Sequence, residues 1–331
     1  MNITVYGSGR WASFLAWYAS SAGHSALLCG RGGSASYESL KETRRNAFLK
    51  LPDSVSFTSD PLEAWEFSDI ALVAIGAQQL RSFCETLKDA VPALSRAAEA
   101  GEGAGKTFVL CMKGLEENTG LRLTQVLNET LCGAVDAAVW VGPGHPQDFV
   151  GGVPNCMLID SVSSALTRRL ADALASPLIR FYYGEDLIGA EVGAAAKNVV
   201  GIAAGMLDGL DVGALKGVLM ARGAREVSRL VGALGGSELT VYGICHLGDY
   251  QATLFSPYGH NRAFGECIVK ELPYPYLAEG AATAFSLLRL SEQTGVELPI
   301  CQAVARVIRR EMPPRDILSG LFSRSTKAEF Y

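Results

Sequence analysis

Hydrophobic and polar positions divide this chain into two unlike halves near residue 185. In the first half, short apolar runs recur at residues 3–6, 25–29, 69–75, 106–111, 137–141, 155–159 and 178–183. Runs such as 69–75 are apolar on both faces, the pattern of a parallel strand covered on two sides. Helical spacing fills most of the gaps between them, beginning with 10–22. Alternation of this kind predicts an α/β fold with a doubly wound, mostly parallel sheet of the Rossmann type. After residue 185 the β-rich runs stop. Stretches rich in Ala, Gly and Leu follow with helical spacing at 186–209, 213–234, 261–270, 279–295 and 298–311. The expected organisation is an α/β domain over 1–185 and an all-α C-terminal domain over 186–331.

Composition narrows the functional classes. A chain of 331 residues, 49% hydrophobic and 19% charged, is long and apolar enough for two domains with their own cores. A net charge of -5 with mixed signs offers no basic face for nucleic acid, whereas a small anion needs only one positive pocket. Eight cysteines without a C-x-x-C pair, and four histidines without metal spacing, predict reduced thiols, no metal and a cytoplasmic setting. No leader segment is expected before the first strand. The most apolar stretch, 187–207, contains Glu191, Lys197 and Asn198, which favours a buried helix over a membrane span.

The first run leads directly into Gly7-Ser8-Gly9-Arg10-Trp11-Ala12 and then a helix. G-x-G-x-x-A between a strand and a helix is a dinucleotide-binding signature. Gly7 permits the turn, Gly9 lets a diphosphate reach the backbone, and the small Ala12 lets the helix pack on the strand. The helix N-terminus adds unpaired amides and a favourable dipole. The second run ends Leu28-Cys29-Gly30-Arg31, with no acid for the ribose hydroxyls and an arginine suited to a 2′-phosphate. NADP is therefore expected in preference to NAD.

Lys113-Gly114 follows the run 106–111, and Gly142-Pro143-Gly144 follows 137–141. Both belong on the rim at the carboxyl ends of the strands, where open α/β sheets bind ligands. Lys197-Asn198 lies inside an apolar helix, where an ammonium group is costly unless paired or functional. Desolvation there lowers a lysine toward the range of a proton-transfer group. The small residues Gly189, Gly193, Ala194 and Ala196 on this helix are expected to pack closely against the first domain. Asp249, in Leu247-Gly248-Asp249, is a candidate partner for Lys197, and His260-Asn261-Arg262 reads as the start of a helix after a loop.

Taken in order, these segments resemble the NAD(P)-dependent glycerol-3-phosphate dehydrogenases of the bacterial type. The glycine loop with Trp11 is similar to the family's G-x-G-x-W, and Met112-Lys113-Gly114 to its S-K-G. Residues 189–199 resemble G-x-E-x-x-x-x-x-K-N-V most closely. Leu247-Gly248-Asp249, the segment 256–265 and Glu279-Gly280 are similar to L-G-D-L, S-P-x-x-R-N-R-x-F-G and E-G. The resemblance implies interconversion of sn-glycerol 3-phosphate and dihydroxyacetone phosphate, with Lys197 exchanging the C2 hydroxyl proton beside Lys113 and Asp249. It implies cofactor contacts at Gly7, Gly9, Arg10, Trp11, Arg31, Lys113, Pro146, His260, Leu277 and Glu279. It places the small phosphorylated substrate against Lys113, Gly142, Gly144, Lys197, Asn198, Asp249, Thr253, Gly259, His260 and Asn261. A homodimer is compatible with it.

The chain departs from the family pattern at four places. Gly144-His145-Pro146 replaces S/T-F-A, and His260 stands where the family has an arginine. Arg10 and Ala12 occupy positions where the family prefers a small residue and glycine, and Gly76-Ala77 replaces Pro-Ser. A histidine in place of an arginine is expected to bind phosphate well only as the imidazolium. Two other readings stay open: a dehydrogenase acting on another small 2-hydroxy or 2-oxo compound, and an NADP-binding protein without catalysis. The retained Lys113, Lys197, Asn198 and Asp249 favour catalysis.

Overall fold

The computed structural model describes residues 1–326, 328 and 329. The α/β half runs β1 (Asn2–Tyr6), α1 (Arg10–Ser21), β2 (Ser25–Cys29), α2 (Ala35–Thr43), β3 (Ser56–Thr58), α3 (Pro61–Phe67), β4 (Ile70–Val73), α4 (Leu80–Ala90) and α5 (Pro92–Ala100). It continues through β5 (Thr107–Leu110), α6 (Leu123–Leu131), β6 (Asp136–Val141), α7 (Pro146–Val150), β7 (Asn155–Ser161), α8 (Ser164–Leu174) and β8 (Ile179–Tyr183). The eight strands form one sheet in the order β3-β2-β1-β4-β5-β6-β7-β8, in which only the β6–β7 pairing is antiparallel. The strand order reverses at β1, and the crevice beside such a switch point is where doubly wound sheets hold ligands. The doubly wound sheet expected from the apolar runs is present. β3 escaped that pattern because three residues are too few to show a period.

The turn after β1 depends on Gly7, whose φ is +122°. A Cβ there would lie 2.4 Å from the carbonyl oxygen of Ala74, so no side chain fits between the loop and the end of β4.

The helical half comprises α9 (Leu187–Gly209), α10 (Lys216–Ala233), α11 (His260–Val269), α12 (Glu279–Thr294), α13 (Pro299–Ile308) and α14 (Pro314–Phe322). Short helical turns at Glu238–Tyr242 and Leu247–Asp249, and a π-helical turn at Gln251–Phe255, connect α10 to α11. α14 was not among the helices expected from spacing. α9 is long and apolar enough to cross a membrane, but 89% of its apolar window is buried inside the protein. It is the axis of the helical half, with every residue from Gly189 to Leu207 buried.

The small residues of α9 divide their tasks differently from expectation. Ala190 and Ala194 pack with Leu110, Val139 and Val141 of the sheet. Gly189 and Gly193 instead face Thr240, Cys245 and His246, within the helical half. Further along, the backbones of α9 and α11 touch: a Cβ on Gly205 would sit 1.8 Å from the Arg262 carbonyl oxygen, and one on Gly265 2.0 Å from that of Ile202. This crossing brings the first residues of α11 to the site.

Gly205→Ala therefore overpacks a contact that no flexible side chain can relieve, and a loss of about 1–3 kcal/mol or more is expected. Gly217→Ala on α10, where a Cβ meets nothing within 4 Å, should stabilise by about 0.5–1 kcal/mol. Denaturant midpoints measure both; equal midpoints would refute the tight crossing.

Candidate active site

A cleft of about 1130 Å³ runs along the carboxyl ends of the strands and is closed on its other side by the helical half. The β1–α1 loop, Lys113, α9 at Lys197 and Asn198, and residues 258–261 all line it. Asp249 and Gly142 were expected among the substrate contacts, but they stand behind this wall and not on it.

From there Asp249 organises the site. It is 1% exposed, and its Oδ2 accepts from two ammonium groups, Lys113 Nζ at 2.7 Å and Lys197 Nζ at 2.9 Å. Lys113 also donates to the Gly142 carbonyl at 2.5 Å, and its own carbonyl accepts from Asn198 Nδ2 at 2.9 Å. The π-helical turn presents Thr253, whose hydroxyl accepts from Lys197 at 2.8 Å and donates to the Asp249 carbonyl at 2.7 Å. Burial lowers the Lys197 pKa to about 8, with Asp249 opposing the fall and Lys113 adding to it. For Asp249, burial acts upward, but Lys113 and Lys197 outweigh it and hold the carboxyl below its ordinary value.

His246 fixes this arrangement from behind. Its Nδ1 donates to the Gly193 carbonyl at 2.7 Å, and its Nε2 accepts from the Tyr250 hydroxyl at 2.6 Å. Burial pushes its pKa down to about 4, so it is a neutral strut that ties the turn carrying Asp249 to α9. A lone histidine carries no spacing signal, and sequence reasoning missed it.

At the other end of the cleft the residues suit a dinucleotide. The first turn of α1 has no side-chain cap, and the buried Trp11 Nε1 has no acceptor, while Gly9, where a Cβ would meet nothing within 4 Å, leaves the loop open to close approach. Arg31 is exposed on the cleft wall with Ser34 and Ser36 nearby, and among the described residues it has no carboxylate partner. Glu279 Oε1 accepts from the Ala77 amide at 3.5 Å, and burial raises its pKa. Pro146, at the start of α7, and the exposed Leu277 line the same cleft, as do Gly9, Gly144 and Gly259. Asn261 lines it too; its Oδ1 accepts from the Gly280 amide at 2.9 Å, which fixes the side chain and leaves both donors of its amide nitrogen for a ligand.

His260 departs from expectation. It lies at the cleft with Nε2 3.4 Å from Arg10 and Nδ1 2.7 Å from the Tyr274 hydroxyl. Desolvation and then Arg10 hold its pKa below the ordinary imidazole value. The imidazolium expected for phosphate binding is thus disfavoured before any anion arrives.

A glycine loop at the sheet's switch point, facing a desolvated lysine across a cleft between an α/β and a helical half, defines the class of two-domain dinucleotide-dependent dehydrogenases. Residues 2–166 match the N-terminal part, and 186–319 the C-terminal part, of the NAD-dependent glycerol-3-phosphate dehydrogenases. The chain belongs to this family. It is 34% identical over 347 residues to a glycerol-3-phosphate dehydrogenase (NAD(P)+) of Janthinobacterium sp., covering 99% of each chain. It is 32% identical over 347 residues to that of Corynebacterium glutamicum, covering 99% of this chain and 100% of the other. Its fold is similar to a crystal structure of glycerol-3-phosphate dehydrogenase from Coxiella burnetii, with TM-score 0.88, 23% identity and coverage of 98% and 99%. It is less similar to 2-dehydropantoate 2-reductase from Methylococcus capsulatus, with TM-score 0.59, 18% identity and coverage of 98% and 99%.

Asp249→Asn leaves the buried Lys197 ammonium and the partly buried Lys113 ammonium without a counter-charge, and a loss of about 3–5 kcal/mol is expected at pH 6. Lys197 is then pushed further down in the folded state, which binds fewer protons than the unfolded chain. The variant's stability should accordingly rise with pH from 6 to 9 relative to wild type. Parallel pH profiles for the two proteins, from urea melts, would contradict this assignment.

Proposed function

We propose that this chain interconverts sn-glycerol 3-phosphate and dihydroxyacetone phosphate using NADP or NAD, as the names of its relatives indicate. The observation that carries the reading is Lys197, an amine with a pKa lowered to about 8 in the wall of the dinucleotide cleft. When bound, the dinucleotide takes or supplies the hydride at the substrate's C2. Lys197 handles the proton: as the neutral amine it accepts from the C2 hydroxyl, and as the ammonium it donates to the carbonyl oxygen. Asp249 and Thr253 engage two of the three ammonium donors, so the third remains for that oxygen. Lys113, Asn198 and Asn261 line the cleft around it and orient the substrate. In this reading residues 1–185 hold the cofactor and 186–331 the substrate and proton-transfer groups, with Lys113 reaching across from the first to the second.

The cofactor preference rests on Arg31. Its exposed guanidinium at the end of β2 has no acid beside it, which suits the 2′-phosphate of NADP.

Lys197→Met should lower kcat by about 100-fold or more while cofactor affinity stays near wild type. In wild type, kcat/KM for alcohol oxidation needs the neutral amine and should rise with pH to a plateau above about 8. Ketone reduction needs the ammonium and should fall through the same pH. Absence of turnover of dihydroxyacetone phosphate with either cofactor sinks the assignment. A second measurement, by fluorescence titration, concerns Arg31→Ala, which should weaken NADPH binding by about 1.5–3 kcal/mol and leave NADH nearly unchanged. Equal losses would show that Arg31 does not read the 2′-phosphate.

A further inference from the structure

Four Lys or Arg side chains line the cleft among the described residues: Arg10, Arg31, Lys113 and Lys197. The two lysines share Asp249. Arg31 stands alone at the far end of the cleft, at the tip of β2. Arg10 stands alone in the middle, and the direction of its side chain is informative. Its backbone belongs to the dinucleotide loop, as the first residue of α1. Its guanidinium leaves that loop over the Phe48 ring, 5.0 Å from the centroid, and ends between two histidines, 3.2 Å from His145 Nδ1 and 3.4 Å from His260 Nε2.

Donor arithmetic settles the protonation of these histidines. His145 Nε2 is 3.0 Å from the Ala252 carbonyl, which can only accept. The proton is therefore on Nε2, and Nδ1 is free to accept from Arg10. At His260, Arg10 can only donate to Nε2, so the proton is on Nδ1 and points to the Tyr274 hydroxyl. Both imidazoles are neutral acceptors holding one guanidinium, and both have pKa values lowered by desolvation and by Arg10. The cluster carries a single positive charge with no carboxylate partner among the described residues. Two of the five guanidinium N–H groups are engaged, which leaves three for a ligand. Its two histidine neighbours reach toward the lysines: His145 is anchored to Ala252, adjacent to the Thr253 that holds Lys197, and His260 opens α11, whose first turn has no side-chain cap.

We infer that Arg10 is the fixed charge that binds the phosphate group of the substrate, with His145 and His260 as neutral supports that aim it. The cofactor loop thereby contributes the substrate's specificity determinant, and the charge that His260 lacks is supplied from 250 residues away in sequence. This inference rests on the proposed activity for the identity of the substrate, but not for the existence of the anion subsite. The competing source of the same chemistry is the cofactor's diphosphate.

The test is calorimetry of wild type, Arg10→Gln and His260→Gln saturated with NADPH, titrated with sn-glycerol 3-phosphate and separately with inorganic phosphate. The reduced cofactor and the reduced substrate cannot react, so binding is read alone. Circular dichroism confirms that each variant is folded, and NADPH affinity is measured first. Arg10→Gln should weaken both anions by about 30-fold or more and change the NADPH Kd by less than about threefold. His260→Gln, which keeps an acceptor for Arg10, should cost less than about fivefold. Wild-type anion affinity in Arg10→Gln overturns the inference, as does a larger loss in His260→Gln. A loss in NADPH affinity that exceeds the loss for the anions assigns the charge to the cofactor diphosphate and overturns it too. Wild type that binds sn-glycerol 3-phosphate through Arg10 but never turns over the oxidised substrate retires the proposed activity and leaves the subsite standing.

Discussion

Two ammonium groups meet on one carboxylate oxygen of the fully buried Asp249, and the rest of the site is arranged around that contact. A buried ion cluster of this kind is weak evidence for stability, because desolvating three charges offsets most of their mutual attraction. Its value lies in what it does to protonation. Asp249 stays ionised because two cations face it, and the Lys197 pKa is lowered to about 8 because burial is only partly offset by that shared carboxylate. A proton-transfer amine needs both conditions: a pKa near working pH and a fixed direction. Thr253 and the His246 strut supply the direction.

The contact requires that four segments distant in sequence converge on α9. Glycines make this possible by removing side chains where backbones must touch. Gly193 admits His246, Gly201 admits Thr253, Gly205 and Gly265 admit each other's helices, and Gly280 admits the start of α12 beside Asn198. α9 also lays Ala190 and Ala194 on the sheet, and its Asn198 donates to the Lys113 carbonyl, which ties the segment carrying Lys113 to the helix carrying Lys197. Lys197 sits on a buried helix, and Lys113, in the connection after β5, is tied down by Asp249 and the Gly142 carbonyl.

The charge pattern along the cleft follows the same logic. In the proposed reading the paired lysines serve proton transfer and the arginines without carboxylate partners hold permanent anions. Arg31 is exposed at the tip of β2, and Arg10 is held by two neutral imidazoles at the border between the two halves. His145 and His260 fill their places as hydrogen-bond acceptors, which a fixed cation such as arginine cannot do.

Much of this was legible in the sequence, since it depends on local period and local chemistry. Alternating apolar runs specify strands and helices, the G-x-G-x-x-A loop specifies a turn and a helix start, and a lysine in an apolar helix announces its own cost. The tip of β2 announced an arginine without an acid for the same reason. The tertiary structure alone decided what depends on distance in space. That Asp249 serves both lysines from behind the wall, that Gly189 and Gly193 face the helical half and not the sheet, and that His246 is a strut all follow from which faces of α9 meet which loop. The path of the Arg10 side chain is the sharpest case. The family resemblance assigns it to the cofactor, whereas a long side chain ends where packing and acceptors allow, here between His145 and His260. Periodicity fixes where a backbone runs, and only the packed fold fixes which charges share a low-dielectric space.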